Sequence, residues 1–245
     1  MMKIACLIPA RYNSSRFPGK LLALALGKTV LQRTIESALE HFDHSQVFVA
    51  TDDERIALHV ESLGVQVVWT DPAHLNGSER IAEALAKTPS LAETEIILNL
   101  QGDHHCMDGA SLQAAVDILW GDSEAMMSTI ATPILHLEDF LAPQIVKVVV
   151  DSNSNALYFS RAPIPYSKNG LPGNALQHIG LYCFRREFLL KYPHMINTPL
   201  QLQEDLEQLK ALETGFKIKV AVVNERCIGV DIPSDLSKLE EFLRI

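Results

Sequence analysis

Three cations, Arg11, Arg16 and Lys20, fall within one short stretch that also holds Ser14, Ser15 and Gly19. Small residues leave backbone N–H groups open to an anion. Each guanidinium can offer paired donors to phosphate oxygens, and the lysine adds a point charge. The chemistry such a loop could do is to hold a polyphosphate. A P-loop is excluded by spacing. Its pattern of Gly, four residues, Gly-Lys-Ser/Thr meets Ser14 and Leu21 where Gly and Ser/Thr are needed. The later Gly27-Lys28-Thr29 fails in the same way, because position 22 is Leu.

Two acids are candidates for a divalent cation. Asp103 follows the apolar run 95–100, and Asp231 follows 228–230. Mg2+ takes a few carboxylates together with waters and phosphate oxygens, so two aspartates from distant loops would suit it if their strands are neighbours. A lone Asp after a strand also serves as a helix cap or turn residue. The pair His104-His105 beside Asp103 invites a transition-metal reading. Adjacent residues of an extended segment point to opposite sides, however, which disfavours joint chelation.

The elements that must position these groups follow from periodicity. Residues 3–9, 46–50, 65–69 and 95–100 form strand-length apolar runs. Helical spacing covers 30–41, 55–63 (ended by Gly64) and 78–86. Strand and helix in alternation predict a Rossmann-like α/β fold, a mostly parallel sheet flanked by helices. Ligands then sit at the carboxyl ends of the strands. Further on, 145–150 and 156–159 predict an antiparallel hairpin inserted in that fold, with the polar turn 151–155. A loop at 167–174, a helix at 203–214, a strand at 217–223 and a helix at 233–243 follow. The segment 76–80 opens a helix that Ser78 is suited to cap, with N–H groups near a bound anion. One domain over 1–245 is expected.

Composition narrows the function. A net charge of −9 argues against a general nucleic-acid surface, which needs a basic stripe. Apolar residues at 47% exclude a disordered chain. No apolar run reaches membrane-span length, and none at the start reads as a secretory leader. Cys6, Cys106, Cys183 and Cys227 fit no zinc module and read as reduced thiols. A cytoplasmic protein is expected.

Nine segments in order then resemble one family. They are IPARYNSSRFPGK, VATDDERI, NGSER, LNLQGD, VKVVVD, ALYFSRAPIP, HIGLYCFR, EDLEQLKALETG and GVDIPSDL, which together span almost the whole chain. The chain resembles the CMP-Kdo synthetases, 3-deoxy-manno-octulosonate cytidylyltransferases, and more loosely other sugar nucleotidyltransferases. The resemblance implies a nucleotide-diphospho-sugar transferase-like fold. It also implies transfer of CMP from CTP to Kdo (3-deoxy-manno-octulosonate) for lipopolysaccharide synthesis, and a homodimer built on the hairpin. By the same resemblance Arg11 and Lys20 hold the triphosphate, and Asp103 and Asp231 hold Mg2+. Pro9, Ala10, Ser14, Gly77, Ser78 and Gln101 line the nucleotide, the Gln101 amide being able to read the cytosine edge. Arg161 is the expected partner of the sugar carboxylate. His178, Tyr182, Glu204 and Gln208 match sugar-pocket positions, the last two sharing a face of the helix 203–214.

The chain departs from the family at His104-His105-Cys106, where Glu-Pro or Gln-Pro is usual. It departs also at Leu21 for Pro, Gln201 for Glu and Ile232 for Thr. Those departures leave a related acidic sugar, such as an amino analogue or a sialic-acid-like one, or a catalytically weak nucleotide-binding paralogue, as the alternatives.

Overall fold

The computed structural model describes residues 3–14, 17–74, 76–104, 108–224, 229–230 and 232–244. The chain divides into two compact units, residues 1–109 with 226–245, and residues 110–225.

The first unit begins with β1 (Ile4–Ala10), whose apolar residues do not alternate because both faces are covered. After it, β2 (Leu24–Ala25) and β3 (Lys28–Thr29) make a small antiparallel ribbon. Its turn has Leu26 and Gly27 both at positive φ, as a two-residue hairpin of this hand requires. Thr29 caps α1 (Val30–Leu39), its hydroxyl accepting from the Gln32 N–H at 3.0 Å. Strand β4 (Val47–Thr51) leads to α2 (Glu54–Ser62), which Asp53 caps. Gly64, at φ 72°, turns the chain into β5 (Gln66–Trp69). Helix α3 (Gly77–Lys87) and β6 (Ile96–Asn99) complete the run.

The four strands β6, β1, β4 and β5 lie parallel in that order, with Ala10 opposite Thr51 and Leu7 opposite Asn99. Helices α1, α2 and α3 pack on them. This is the expected parallel sheet, and its strands end where the basic loop begins. The expected cap Ser78 is a correction. Asn76 caps α3 through Oδ1, which accepts from the Glu79 N–H at 2.9 Å, while its amide donates back to Glu79 Oε1 at 3.0 Å. Ser78 is fully buried within the first turn, past the cap position.

The second unit opens with α4 (Gly109–Trp120), β7 (Met127–Pro133) and α5 (Leu137–Leu141). Strands β8 (Lys147–Val150) and β9 (Ala156–Ser160) form the expected hairpin. The Asp151 carboxylate holds its turn by accepting from the N–H groups of Asn153 and Asn155, both at 2.8 Å. The long strand β10 (Leu176–Arg185) runs antiparallel to both β7 and β8. Helices α6 (Arg186–Lys191), α7 (Pro199–Glu204) and α8 (Leu209–Glu213) precede β11 (Ile218–Val222), which pairs parallel with β7.

The single helix expected over 203–214 is also corrected. Asp205 adopts a left-handed conformation, φ 53°, and ends α7. Glu204 therefore closes one helix and Gln208 caps the next, so they do not share a helix face. The last element, α9 (Asp235–Phe242), returns to the first unit. No described helix is long and apolar enough to cross a membrane.

Candidate functional site

At the carboxyl end of β1 a cleft of ≈ 90 Å³ is lined by Pro9, Ala10, Arg11, His74, Asn76, Gly77, Arg80 and Gln101. Five residues expected to meet a nucleotide thus come together from three loops. Their approach depends on missing side chains. A Cβ on Gly77 would sit 3.0 Å from Pro9 Cγ and 3.1 Å from Gln101 Oε1. One on Gly102 would press the Pro9 carbonyl at 3.1 Å and the buried Leu21 at 3.1 Å. Leu21, one of the departures from the family pattern, thus packs against Gly102. Ser14 lies elsewhere on the loop and does not line the cleft. Ser78 points inward, its hydroxyl 3.4 Å from the Asn99 amide.

The cleft also contains a residue that motif reading passed over. The Arg80 guanidinium is almost wholly buried, 2.9 Å from the Asp52 carboxylate, and donates to Thr70 Oγ1 at 2.6 Å. Burial lowers its pKa, Asp52 opposes that, and the nearby positive charge of Arg11 adds to the lowering. Two guanidinium groups therefore converge, Arg11 exposed and Arg80 behind it, which makes the field in the cleft attractive to anions. The available signal was an Arg inside the apolar stripe of α3, beside Ile81, where only a paired cation is stable.

The basic loop folds back on itself. The Gly19 N–H donates to the Tyr12 carbonyl at 2.8 Å. Gly19 has φ 73°, and any Cβ there would lie 3.0 Å from the Tyr12 ring. The Arg55 guanidinium stacks on the same tyrosine, 3.3 Å from the ring centre. That closure starts a short helical turn at Lys20. The Lys20 ammonium then donates to the Asp103 carboxylate and, at 3.0 Å, to the Val230 carbonyl. Burial alone would raise the Asp103 pKa; the charge of Lys20, with a further contribution from His104, holds it below the usual carboxylate range. Asp103 is therefore ionised and partly open to solvent. Asp231, Arg16 and His105 lie outside the described residues. Among the described residues no three His, Cys, Asp or Glu side chains gather as a metal-binding group.

The residues matched to a sugar pocket lie in the second unit, in two sets. In the first, the Glu204 carboxylate accepts from Ser160 Oγ at 2.6 Å, the Arg161 N–H at 2.9 Å and Tyr158 Oη at 3.3 Å. Burial works against its ionisation, but these donors prevail and lower its pKa. The Arg161 guanidinium donates to three carbonyls, those of Glu204 at 2.8 Å, Asp205 at 3.2 Å and Pro143 at 3.3 Å. It clamps the α7 terminus, a role the sequence does not suggest. In the second set, Tyr182 Oη donates to Gln208 Oε1 at 2.9 Å, and the His178 ring lies 5.5 Å from that of Tyr182. Burial pushes the Tyr182 phenol well above its usual range. Gln201, another departure, belongs to neither set. It completes a capping box, its Oε1 accepting from the Thr198 N–H at 3.2 Å.

With this geometry in hand, comparison with known proteins is decisive. The cytidylyltransferase family matches residues 5–218. The 3-deoxy-manno-octulosonate cytidylyltransferase of Protochlamydia amoebophila is 48% identical, over 98% of this chain and 94% of its own. That of Geobacter metallireducens is 44% identical over 99% and 98%. A solved structure of CMP:2-keto-3-deoxy-manno-octonic acid synthetase complexed with CTP superposes with a TM-score of 0.91, at 34% identity, covering 99% of this chain and 98% of that one. The chain belongs to the 3-deoxy-manno-octulosonate cytidylyltransferase family.

Proposed function

We propose that this chain transfers CMP from CTP to 3-deoxy-manno-octulosonate, with Mg2+ and as a cytoplasmic homodimer. The observation that carries the reading is the pairing of Lys20 with an ionised Asp103 next to a cleft that presents Arg11, Arg80 and the Gln101 amide. In the reaction the anomeric hydroxyl oxygen of the sugar bonds to the α-phosphorus of CTP. The bond from that phosphorus to the bridging oxygen breaks, pyrophosphate leaves with its electrons, and the hydroxyl proton is released.

The chain's own groups bind and orient. Arg11 is placed to neutralise the triphosphate, with Arg80 reinforcing the field from behind. Lys20 offsets the charge that grows on the leaving pyrophosphate. The Gln101 amide offers both a donor and an acceptor to a base edge.

The donor set also fits the proposed ion. Asp103 is held as a carboxylate, a hard oxygen donor of the kind that would suit Mg2+. Asp103, with Asp231, would hold it. When bound, Mg2+ supplies charge neutralisation at the phosphates.

The homodimer reading draws on the exposed Leu157 of the hairpin, with 60% of its surface open. The cytoplasmic reading draws on Cys183, a buried free thiol. Pyrophosphate release measured across CTP, ATP, GTP and UTP with a panel of 2-keto-3-deoxy acids tests the assignment. Turnover confined to CTP with 3-deoxy-manno-octulosonate is expected. Preference for another nucleotide, or for an amino or sialic-acid-like sugar, would overturn the substrate assignment.

A further inference from the structure

Strand β10 carries an irregularity beside the acceptor residues. Ile179 pairs with Ile130 of β7, yet Tyr182 pairs with the very next residue, Thr129. Gly180 and Leu181 are therefore extra, and the strand bulges. The bulge turns two carbonyls onto one side chain. Thr129 Oγ1 lies 2.6 Å from the Leu181 carbonyl and 3.1 Å from that of Ile179. The same oxygen lies 2.9 Å from His178 Nε2. Thr129 is fully buried, so water does not compete for these positions.

A hydroxyl has one proton. Were it given to His178 Nε2, two carbonyl oxygens would face a hydroxyl oxygen with no proton between them. The proton lies instead toward Leu181, the closer acceptor. Thr129 Oγ1 then has only lone pairs to offer the ring, so Nε2 must carry the hydrogen. We infer that Thr129 is a positioning residue of the acceptor site, fixing His178 as the Nε2–H tautomer with Nδ1 as its acceptor nitrogen, suited to a sugar hydroxyl.

The ring is also fixed in orientation. Phe159 meets it edge-on at 4.9 Å between centres, and Tyr182 lies against it at 5.5 Å. The His178 N–H donates to the Val146 carbonyl at 2.8 Å, which holds the backbone. The inference rests on the proposed use of His178 for the acceptor sugar, and it deepens that reading.

Two variants test it. Thr129→Val keeps the shape and removes the hydroxyl, while Thr129→Ser keeps the hydroxyl. Nitrogen-15 NMR of the ligand-free protein, with the His178 signals assigned by their loss in His178→Gln, reads the tautomer directly. The expected result is Nε2–H in the wild type and in Thr129→Ser, and loss of that preference in Thr129→Val. Steady-state kinetics should show the KM for 3-deoxy-manno-octulosonate rising about tenfold in Thr129→Val, as one lost oriented hydrogen bond implies. The KM for CTP should hold, and Thr129→Ser should restore the sugar KM. A wild-type spectrum with the proton on Nδ1 overturns the proposal, and it does so even if Thr129→Val fails to fold. An unchanged sugar KM in a folded Thr129→Val overturns it as well. Wild-type protein that shows the Nε2–H form but does not turn over this sugar would defeat the functional reading alone.

Discussion

The Arg80 guanidinium sits 2.9 Å from the Asp52 carboxylate, and only 4% of the Arg80 side chain reaches solvent. A cation so enclosed needs its partner, since removing one member of a buried pair leaves an uncompensated charge. Asp52→Ala should therefore cost more than Arg80→Met, although the latter removes the larger side chain. Asp52 is 19% exposed. The expected loss for Asp52→Ala is accordingly about 2 kcal/mol, below the roughly 3–5 kcal/mol of a fully buried pair. Urea denaturation checks this. The midpoint should fall with the slope unchanged, and Arg80→Met should lie between Asp52→Ala and the wild type.

Gly77 opens the cleft beside Pro9 and Gln101 without adopting an unusual backbone. Alanine is the better helix former at this position, so Gly77→Ala should change the stability of the free protein by less than about 1 kcal/mol. Its methyl group would nonetheless press on Pro9 and on the Gln101 amide at 3.0 and 3.1 Å. The expected outcome is a KM for CTP raised roughly tenfold, equivalent to about 1.4 kcal/mol, with the sugar KM little changed. Equal increases in both constants would show that the cleft does not serve the nucleotide.

Much of the first unit was legible in the sequence because its strands are covered on both faces. The run in β1 is continuously apolar, and Gly64 ends α2 where a left-handed residue is required. Legibility failed where two local signals competed. Asn76 and Ser78 are both good caps. Asn76 prevails because Glu79 returns its hydrogen bond, and Ser78 then falls inside the first turn, past the cap position. The segment 203–214 has helical spacing, yet Asp205 is held left-handed beside the Arg161 clamp, a tertiary contact that no local pattern encodes. The segments 109–120, 127–133 and 176–185 carried no assignment at all. In β10 the bulge at Gly180 and Leu181 interrupts the alternation that would reveal a strand.

Lys20 and Asp103 give the most direct test of the proposed chemistry. Lys20→Met removes the cation proposed to offset the leaving pyrophosphate. Asp103→Asn removes the ionised carboxylate proposed to hold Mg2+. Each should lower kcat for pyrophosphate release by about a hundredfold or more, the scale set by loss of one preorganised electrostatic contact. Because the two side chains touch, the double variant should lose less than the product of the separate losses. Full multiplicative losses would mean that the pair works as two independent groups.

Acid stability should depend on Glu83, which gathers three partners at the edge of the cleft. Its carboxylate accepts from the Asp71 N–H at 2.8 Å, lies 2.5 Å from His74 Nε2 and pairs with Lys87 at 2.5 Å. Burial opposes ionisation, but Lys87, the Asp71 N–H and His74 outweigh it and lower the pKa from 4.5 to about 2. A carboxyl whose folded pKa lies below its unfolded one stabilises the fold fully above the unfolded value. That stabilisation is lost as pH falls from 4.5 toward about 2. Glu83→Gln should therefore be less stable than the wild type at neutral pH, with the gap between them closing through that window. Thermal unfolding of both proteins at a series of pH values reads the gap. A difference that stays constant down to about pH 2.5 would place the effect of the substitution in packing or hydrogen-bond geometry and not in the charge on Glu83.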